Sequence, residues 1–526
     1  MSDVKLTGQE DGVQAYIIPS SDPHQTEDVA LEHKRREFIS GFTGSHGTAI
    51  VTIDKAALWT DGRYFLQAEM ELDCNWELQK EGLPSTPKFG QWLKMKLQSQ
   101  DIKLVPIKEN LVDRIWTSRP TGNKKPIYVL GLQFTGKSWQ DKVQDVRLQI
   151  QKKNATAVVL QALDEIAWTF NLRGHDISFS PVFFSYAIIT LNEAILFVDK
   201  QKVPKNVEQH LNTNLCSTTA FCVKIEPYSS VLNVLQQLAK TSANKIWITP
   251  SSSYALRMVI PDDKYVSAAS PVALPKAIKN NVEIQGMKNA NVQNQSPDLT
   301  EISAEEQLLK FREANNFTKV QITDKGFFLL DTGAQYKDGT TDTTRTVHFG
   351  TPNQHEIVSR TLDVFAREPL WRVGLDYRHG TGHGIGHFLN VHEGPQCISP
   401  GFPLEDERVL TKGMILSDEP GYYEDGQFGV RIETAVLVES ANTPFNFNKL
   451  EYLKFEPIAL VPFQRKLINT LLMKPSQIAW LNEYHSRTRT LIGAELKRQG
   501  KIQTLQWVIK EAQAIPLPDY KSVTIS

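Results

Sequence analysis

The sequence predicts an α/β protein in three parts, two successive α/β units followed by an α+β domain whose strands end in acidic or histidine-bearing loops. Three observations carry that prediction. The chain has 526 residues, more than one hydrophobic core usually holds. Over its first half, short apolar β-prone runs alternate with charged helical stretches. From about Lys279 the strands instead close on Asp, Glu and His.

The first unit runs from Gln14 to about Trp116, with AYIIP, GTAIVTI and AALWT as strands around the helical LEHKRREFI. The loop TSRPTGNKKP breaks it. The second starts near Ile127 with IYVLGLQF and continues through helical QDKVQDVRLQIQKK, strand-like TAVVLQAL and helical DEIAWTF, to close near ALPKAIKN. A polar stretch, NVQNQSPDLTEIS, and a helical AEEQLLKFREA then precede FFLLDTG, TTRTVHF, MILSDEP and VRIETAVLV. We place the domain boundaries at 1–123, 124–277 and 278–526.

Composition narrows the class. A hydrophobic content of 40% is that of a globular chain and excludes extensive disorder. A net charge of -1 gives no electrostatic reason to expect nucleic acid or an anionic membrane as partner. Cys74, Cys216, Cys222 and Cys397 form no CxxC pair, so we read them as buried or incidental thiols in a reducing compartment, although two bridges remain arithmetically open. The polar start MSDVKLTGQEDG lacks the apolar core of a signal peptide, and PVFFSYAIITL is too short and too β-branched to span a membrane. A cytoplasmic protein is expected.

Chemistry concentrates in the last part. Asp331 closes the apolar run GFFLLD, and Asp342 follows eleven residues later in DGTTDTTRT. The turn-like TGAQYKDGT between them puts the two carboxylates on neighbouring antiparallel strands. Alone, such a pair is most simply a solvated hairpin end. The segment HGTGHGIGHFLNVH, from His379 to His392, interleaves four histidines with four glycines, a density suited to close backbone approach to a ligand. His383, between glycines, is a candidate metal ligand; His379 and His392 are candidate donors to substrate or to a developing oxyanion. His387 is read as structural.

Glu419 in MILSDEPGYY and Glu433 in FGVRIETAVLV end two further strand-like runs. A period of two puts Glu433 and Arg431 on one strand face, with Val430, Ile432 and Val436 on the other. An acid in so apolar a strand needs a partner, either Arg431 or a metal. If Asp331, Asp342, Glu419 and Glu433 converge, each pair about 4 Å apart repels by about 4 kcal/mol at an effective dielectric of about 20. Two divalent ions balance four carboxylates, with His383 as a neutral ligand and a bridging water or hydroxide as the attacking group. Oxygen-rich donors with one imidazole favour manganese, and cobalt and zinc also fit.

The order DTGAQYKDGTTDTTRT, HGTGHGIGHFLNVHEGP, SDEPGYYEDGQFGVRIE resembles the catalytic domain of eukaryotic Xaa-Pro aminopeptidases, the pita-bread metallopeptidases. The likeness extends upstream through AYIIPSSDPHQTE, SGFTGSHGTAIVT, LWTDGRYFLQA, KENLVDRIW, LDEIAWTFNLRG and PVFFSYAII. It implies two creatinase-like N-terminal domains before a pita-bread catalytic domain. It also implies five metal ligands, Asp331, Asp342, His383, Glu419 and Glu433, with Asp342 and Glu433 bridging two Mn ions. His379 and His392 become substrate-side histidines, and Glu419 doubles as proton shuttle. The implied reaction removes the first residue from peptides with proline second, a tertiary amide that most peptidases handle poorly. A homodimer is implied as well.

Against that family pattern four segments are short: between KLQSQ and DIKLVP, after KNNVEIQGMKNA, within NNFTKVQITDKGFFLLD, where an active-site histidine is expected, and after NQHEIVSRTLDVFAREPLW. The alternative to an active peptidase is therefore an inactive paralogue or truncated isoform serving as a peptide-binding or scaffold protein. A creatinase-like hydrolase shares the shell but not the five-ligand set.

Overall fold

The computed structural model describes residues 1, 12–99, 101–107, 109–292, 327–348, 366–398 and 410–518. The expected helix AEEQLLKFREA and residues 293–326 and 349–365 lie outside them. The chain forms two compact units, Met1–Val129 with Lys142–Ala268, and Leu130–Asp141 with Ala269–Ser526.

The described residues of the first unit form a four-stranded sheet, a six-stranded sheet and a two-stranded pairing of Tyr128–Val129 with Leu172–Arg173. Strands β1 (Ala15–Pro19), β2 (Thr48–Thr52), β3 (Ala56–Thr60) and β4 (Trp76–Lys80) lie side by side in chain order, antiparallel except for the parallel β3–β4 pair. Alternation sorts their side chains. Ala49 and Leu58 bury on one face with Ile18 and Phe42. Ile50, Ala57 and Trp59 bury on the other against Trp92 and Leu93 of helix α1 (Phe89–Leu97).

The second sheet comprises β5 (Ala155–Leu160), β6 (Ser185–Thr190), β7 (Ala194–Val198), β8 (Lys224–Pro227), β9 (Lys245–Ile248) and β10 (Tyr265–Ser267), in the order β8-β7-β6-β5-β9-β10. Ala157, Val159, Ile188, Phe197, Ile246 and Ile248 pack against Val231, Leu235 and Ala239 of helix α2 (Val231–Thr241). The spacing of those three helical residues is one face of an α-helix. Cys216 and Cys222 form a disulfide, and Cys74 and Cys397 are exposed, which corrects the reading of all four as buried or incidental thiols. The loop between Cys216 and Cys222 folds back until their Cα atoms lie 5.1 Å apart, within bridging range. Among the described residues no helix is long and apolar enough to cross a membrane.

The second unit opens with short helix α3 (Ala273–Ala277) and helix α4 (Asn281–Val292). The expected hairpin is present: β11 (Phe327–Tyr336) pairs antiparallel with β12 (Gly339–His348), Asp331 opposite Thr344 and Gly333 opposite Asp342. The strands run on through most of the segment read as turn, leaving only Lys337 and Asp338 between them. A five-stranded antiparallel sheet follows, from β13 (Gly382–Gly384), β14 (Glu393–Ile398), β15 (Ile415–Asp418), β18 (Thr434–Ser440) and β19 (Leu453–Pro457), in the order β14-β13-β15-β18-β19. A separate hairpin, β16 (Gly421–Glu424) with β17 (Phe428–Arg431), is inserted between β15 and β18.

This sheet buries both faces. Ala435 and Leu437 of β18 join Met287 of α4, while Val436 and Val438 join Ala277 of α3. Fully burying such a Leu or Val is worth about 1.5–3 kcal/mol. Leu460, Phe463 and Ile515 pack on Ile478, Leu481 and Tyr484 of α5 (Pro475–Arg498).

One expected strand is two. VRIETAVLV breaks at Ile432–Glu433, because the backbone there bonds to β12: Arg431 N donates to Thr346 Oγ1 (3.0 Å) and Glu433 N to Thr344 O (3.1 Å). That crossing ties the β11–β12 hairpin to the five-stranded sheet and sets Glu433 at the junction.

Candidate metal centre

Five strands or their ends supply the residues. Asp331 lies on β11, Asp342 on β12, His383 on β13, Glu419 just after β15 and Glu433 just before β18. Asp342, His383 and Glu433 each bring a ligand atom within 4.8 Å of the others. His383 Nε2 also lies 3.4 Å from Asp342 Oδ2 and 3.3 Å from Glu419 Oε1. The imidazole is oriented by its other nitrogen, since Nδ1 is 2.9 Å from Gly384 O. Ser417 Oγ accepts from His383 N (3.0 Å) and donates to Glu419 Oε1 (3.1 Å), holding the two side by side.

The glycines of HGTGHG serve strand packing. A Cβ on Gly382 would sit 2.1 Å from Ser417 O, and one on Gly384 2.4 Å from Glu393 O. Only glycine lets β13 lie between β14 and β15 at this spacing. Their density was read as close approach to a ligand; the structure shows close approach to neighbouring strands.

Asp331 faces a different partner. Its Oδ2 is 2.5 Å from Arg431 Nη2, and its side chain is 48% exposed. The Arg431 guanidinium also donates to Tyr423 Oη (2.9 Å) and Thr344 Oγ1 (3.2 Å). Arg431 thus pairs with Asp331 rather than Glu433, whose carboxylate accepts from Thr344 Oγ1 at 2.7 Å. His379 joins this network through Nε2, 2.9 Å from Tyr423 Oη. The His392 ring meets His383 edge to face, centroids 4.3 Å apart. His387 is buried.

Electrostatics mark the centre. Burial raises the Glu433 pKa well above the usual carboxyl range, and the charges of Asp342, Glu419 and Asp331 raise it further. Burial also raises Glu419, against the opposing charges of His383 and Arg431. Acids that repel one another in a buried pocket are held ionised together by cations. Oxygen donors with one imidazole therefore fit hard divalent ions.

Sequence reasoning missed Arg345, which is buried behind the site. Its guanidinium donates to Val461 O (2.8 Å), Thr344 O (2.8 Å), Tyr484 Oη (2.8 Å) and the Glu433 carbonyl. The only signal was an arginine in the otherwise Thr-rich alternation TTDTTRT.

Comparison with known proteins shows the family. Residues 6–112 and 118–283 each match the creatinase/prolidase N-terminal domain. Residues 276–365 and 358–440 match metallopeptidase family M24, and 451–515 the C-terminal region of peptidase M24. The chain is 37% identical to Xaa-Pro aminopeptidase ApepP of Drosophila melanogaster, covering 97% of each, and 37% identical to Xaa-Pro aminopeptidase 1 of Dictyostelium discoideum, covering 95% and 94%. Among solved structures, X-prolyl aminopeptidase from Caenorhabditis elegans, described as a cytosolic enzyme with a di-nuclear active site, superposes with a TM-score of 0.85 at 29% identity over 97% of both chains. The chain belongs to metallopeptidase family M24 and, within it, to the Xaa-Pro aminopeptidases, hydrolases of the aminopeptidase class. The alignment with the Drosophila relative spans 598 positions against 526 residues here, so that relative carries segments with no counterpart in this chain.

Proposed function

We propose that this chain hydrolyses the bond between the first residue and a following proline, using two divalent ions, manganese in our reading, held by Asp331, Asp342, His383, Glu419 and Glu433. The observation that carries the proposal is the convergence of Asp342, His383 and Glu433 within 4.8 Å, with Glu419 at 3.3 Å from the same imidazole. Asp342 and Glu433, brought together where β12 meets the start of β18, would both hold the ions. When bound, the ions supply Lewis acidity and an activated water as nucleophile.

The chain's own groups do the rest. Glu419, with its raised pKa and its 3.1 Å contact to Ser417 Oγ, moves the proton between nucleophile and leaving nitrogen. His392, packed on His383, and His379, fixed by Tyr423, donate to the substrate carbonyl and to the oxyanion it becomes. Arg431 holds Asp331 in orientation. The natural setting proposed is a cytoplasmic homodimer acting on peptides with proline second. The three-part division at 1–123, 124–277 and 278–526 is supported by the separate matches at 6–112, 118–283 and 276–440.

A second reading, a truncated isoform or inactive paralogue that binds peptides or acts as a scaffold, is favoured by the surplus of aligned positions in the relative. The test is release of the first residue from an Xaa-Pro-Pro peptide in the presence of Mn2+, beside a chain with the missing segments restored. Turnover by the chain as it stands supports the peptidase. Turnover only after restoration supports the truncated isoform, and turnover by neither removes the peptidase reading.

A further inference from the structure

Behind the wall that carries His383 and His392 lies a buried cluster of charges that the proposed chemistry does not use. Glu393 follows His392 directly and opens β14. Its carboxylate, fully buried, lies 2.8 Å from Lys276 Nζ through Oε2 and 2.5 Å from Lys279 Nζ through Oε1. Both lysine side chains are at most 2% exposed. Lys276 belongs to α3; Lys279 lies in the link to α4, and its backbone N donates to Gly413 O (3.0 Å) just before β15. Glu283, also buried, adds a second negative charge near Lys279.

Glu393 connects these ammonium groups to the centre along a short path. It stands opposite Gly384 in the β13–β14 pair, where the register shifts between His383 and Gly384. A Cβ on Gly386 would sit 2.9 Å from Glu393 Oε2, so the histidine-bearing loop closes directly over the carboxylate. The Gly384 carbonyl in turn orients His383 through Nδ1. Both imidazoles therefore hang on one short ladder whose far side is an ion cluster.

We infer that Lys276 and Lys279, acting through Glu393, are positioning residues that fix His383 and His392 for metal and substrate. The inference rests on the proposed peptidase site for its catalytic consequence, but the positioning itself is a property of the chain alone. Buried ion pairs are weak stability devices, and replacing a whole pair by apolar side chains of similar size is often neutral or stabilising. Their value here is orientation, because groups that hold a metal-ligating histidine tune the site they do not touch.

The test combines Lys276→Met, Lys279→Met and Glu393→Met in one full-length variant, with folding checked by circular dichroism. In metal-free protein, carbethoxylation of His383 and His392 by diethylpyrocarbonate is followed by mass spectrometry, with exposed His46 as internal control. Faster modification of both rings and an unchanged rate at His46 are expected. With Co2+ as probe, affinity and kcat should fall by about tenfold to a hundredfold with KM little moved, and the cobalt absorption bands should shift. A folded variant with unaltered modification rates and cobalt spectrum overturns the inference. If the unmodified chain takes up no cobalt and turns over no peptide, the proposed function falls, while the modification rates still decide the positioning. Should the triple variant not fold, Lys279→Met, which leaves Glu393 paired with Lys276, is read the same way.

Discussion

Replacing Glu433 by glutamine sets the metal-free stability of the second unit against its capacity for metal. Glu433 is 2% exposed, and its carboxyl shares a 4.8 Å group with Asp342 and His383. Two ionised carboxylates at that separation repel by about 3.5 kcal/mol at an effective dielectric of about 20. Burial and the neighbouring acids raise the native pKa of Glu433 well above its ordinary value. A carboxyl raised in this way contributes its full stability below the unfolded pKa of about 4.3, and loses it as pH rises toward the native value, at about 1.4 kcal/mol per pH unit. Glutamine keeps an acceptor for Thr344 Oγ1 and carries no charge. In EDTA the variant should therefore exceed the wild type by a margin that grows between pH 5 and pH 8, toward the lost repulsion of about 3.5 kcal/mol. That limit corresponds to a rise of about 7–14 °C in unfolding temperature. Thermal unfolding followed by near-ultraviolet circular dichroism at both pH values reads it. Mn2+ in hundredfold excess over its Kd should stabilise the wild type by about 2.7 kcal/mol and leave the variant unmoved. A variant less stable than the wild type at pH 8 without metal, or a gain that does not grow with pH, refutes the reasoning.

Arg431→Leu removes the partner of Asp331 and of the Tyr423 hydroxyl that holds His379, so kcat should fall by about tenfold to a hundredfold with a smaller change in KM, measured on an Xaa-Pro-Pro peptide. Arg345→Met strips the buried carbonyls of Thr344 and Val461 and the Tyr484 hydroxyl of a charged donor, and should cost about 3–5 kcal/mol in urea unfolding of the second unit. His485 is buried, which pushes its pKa down to about 4, and its Nε2 accepts from Phe463 N. Its contribution is complete above the unfolded value of about 6.5 and shrinks by about 3 kcal/mol as pH falls from there to 4. In His485→Gln that slope should vanish from the pH dependence of the denaturation midpoint.

What the sequence disclosed was whatever local pattern encodes. The Asp331–Asp342 hairpin was legible because an apolar run, a turn composition and a Thr-rich alternation follow one another within about twenty residues. His383, Glu419 and Glu433 stood out as an imidazole and two acids in or beside strand-like runs, and the structure brings the three together. Partner choice was not. Arg431 and Glu433 share a strand face by period, yet the chain crosses to β12 between them and hands Arg431 to Asp331, a hundred residues earlier. No local window holds both residues of that pair. The same limit hid the Lys276, Lys279 and Glu393 cluster, whose only sequence trace is two lysines inside the apolar ALPKAIK. The glycines of HGTGHG were visible, but their cause, the Ser417 and Glu393 carbonyls of adjacent strands, is a tertiary fact.

The most direct measurement is anomalous diffraction from crystals of the chain soaked in Mn2+, recorded above and below the manganese edge. Two peaks are predicted among Asp331, Asp342, His383, Glu419 and Glu433. Peaks elsewhere, or none among these five side chains at saturating manganese, would contradict a dinuclear centre in this protein.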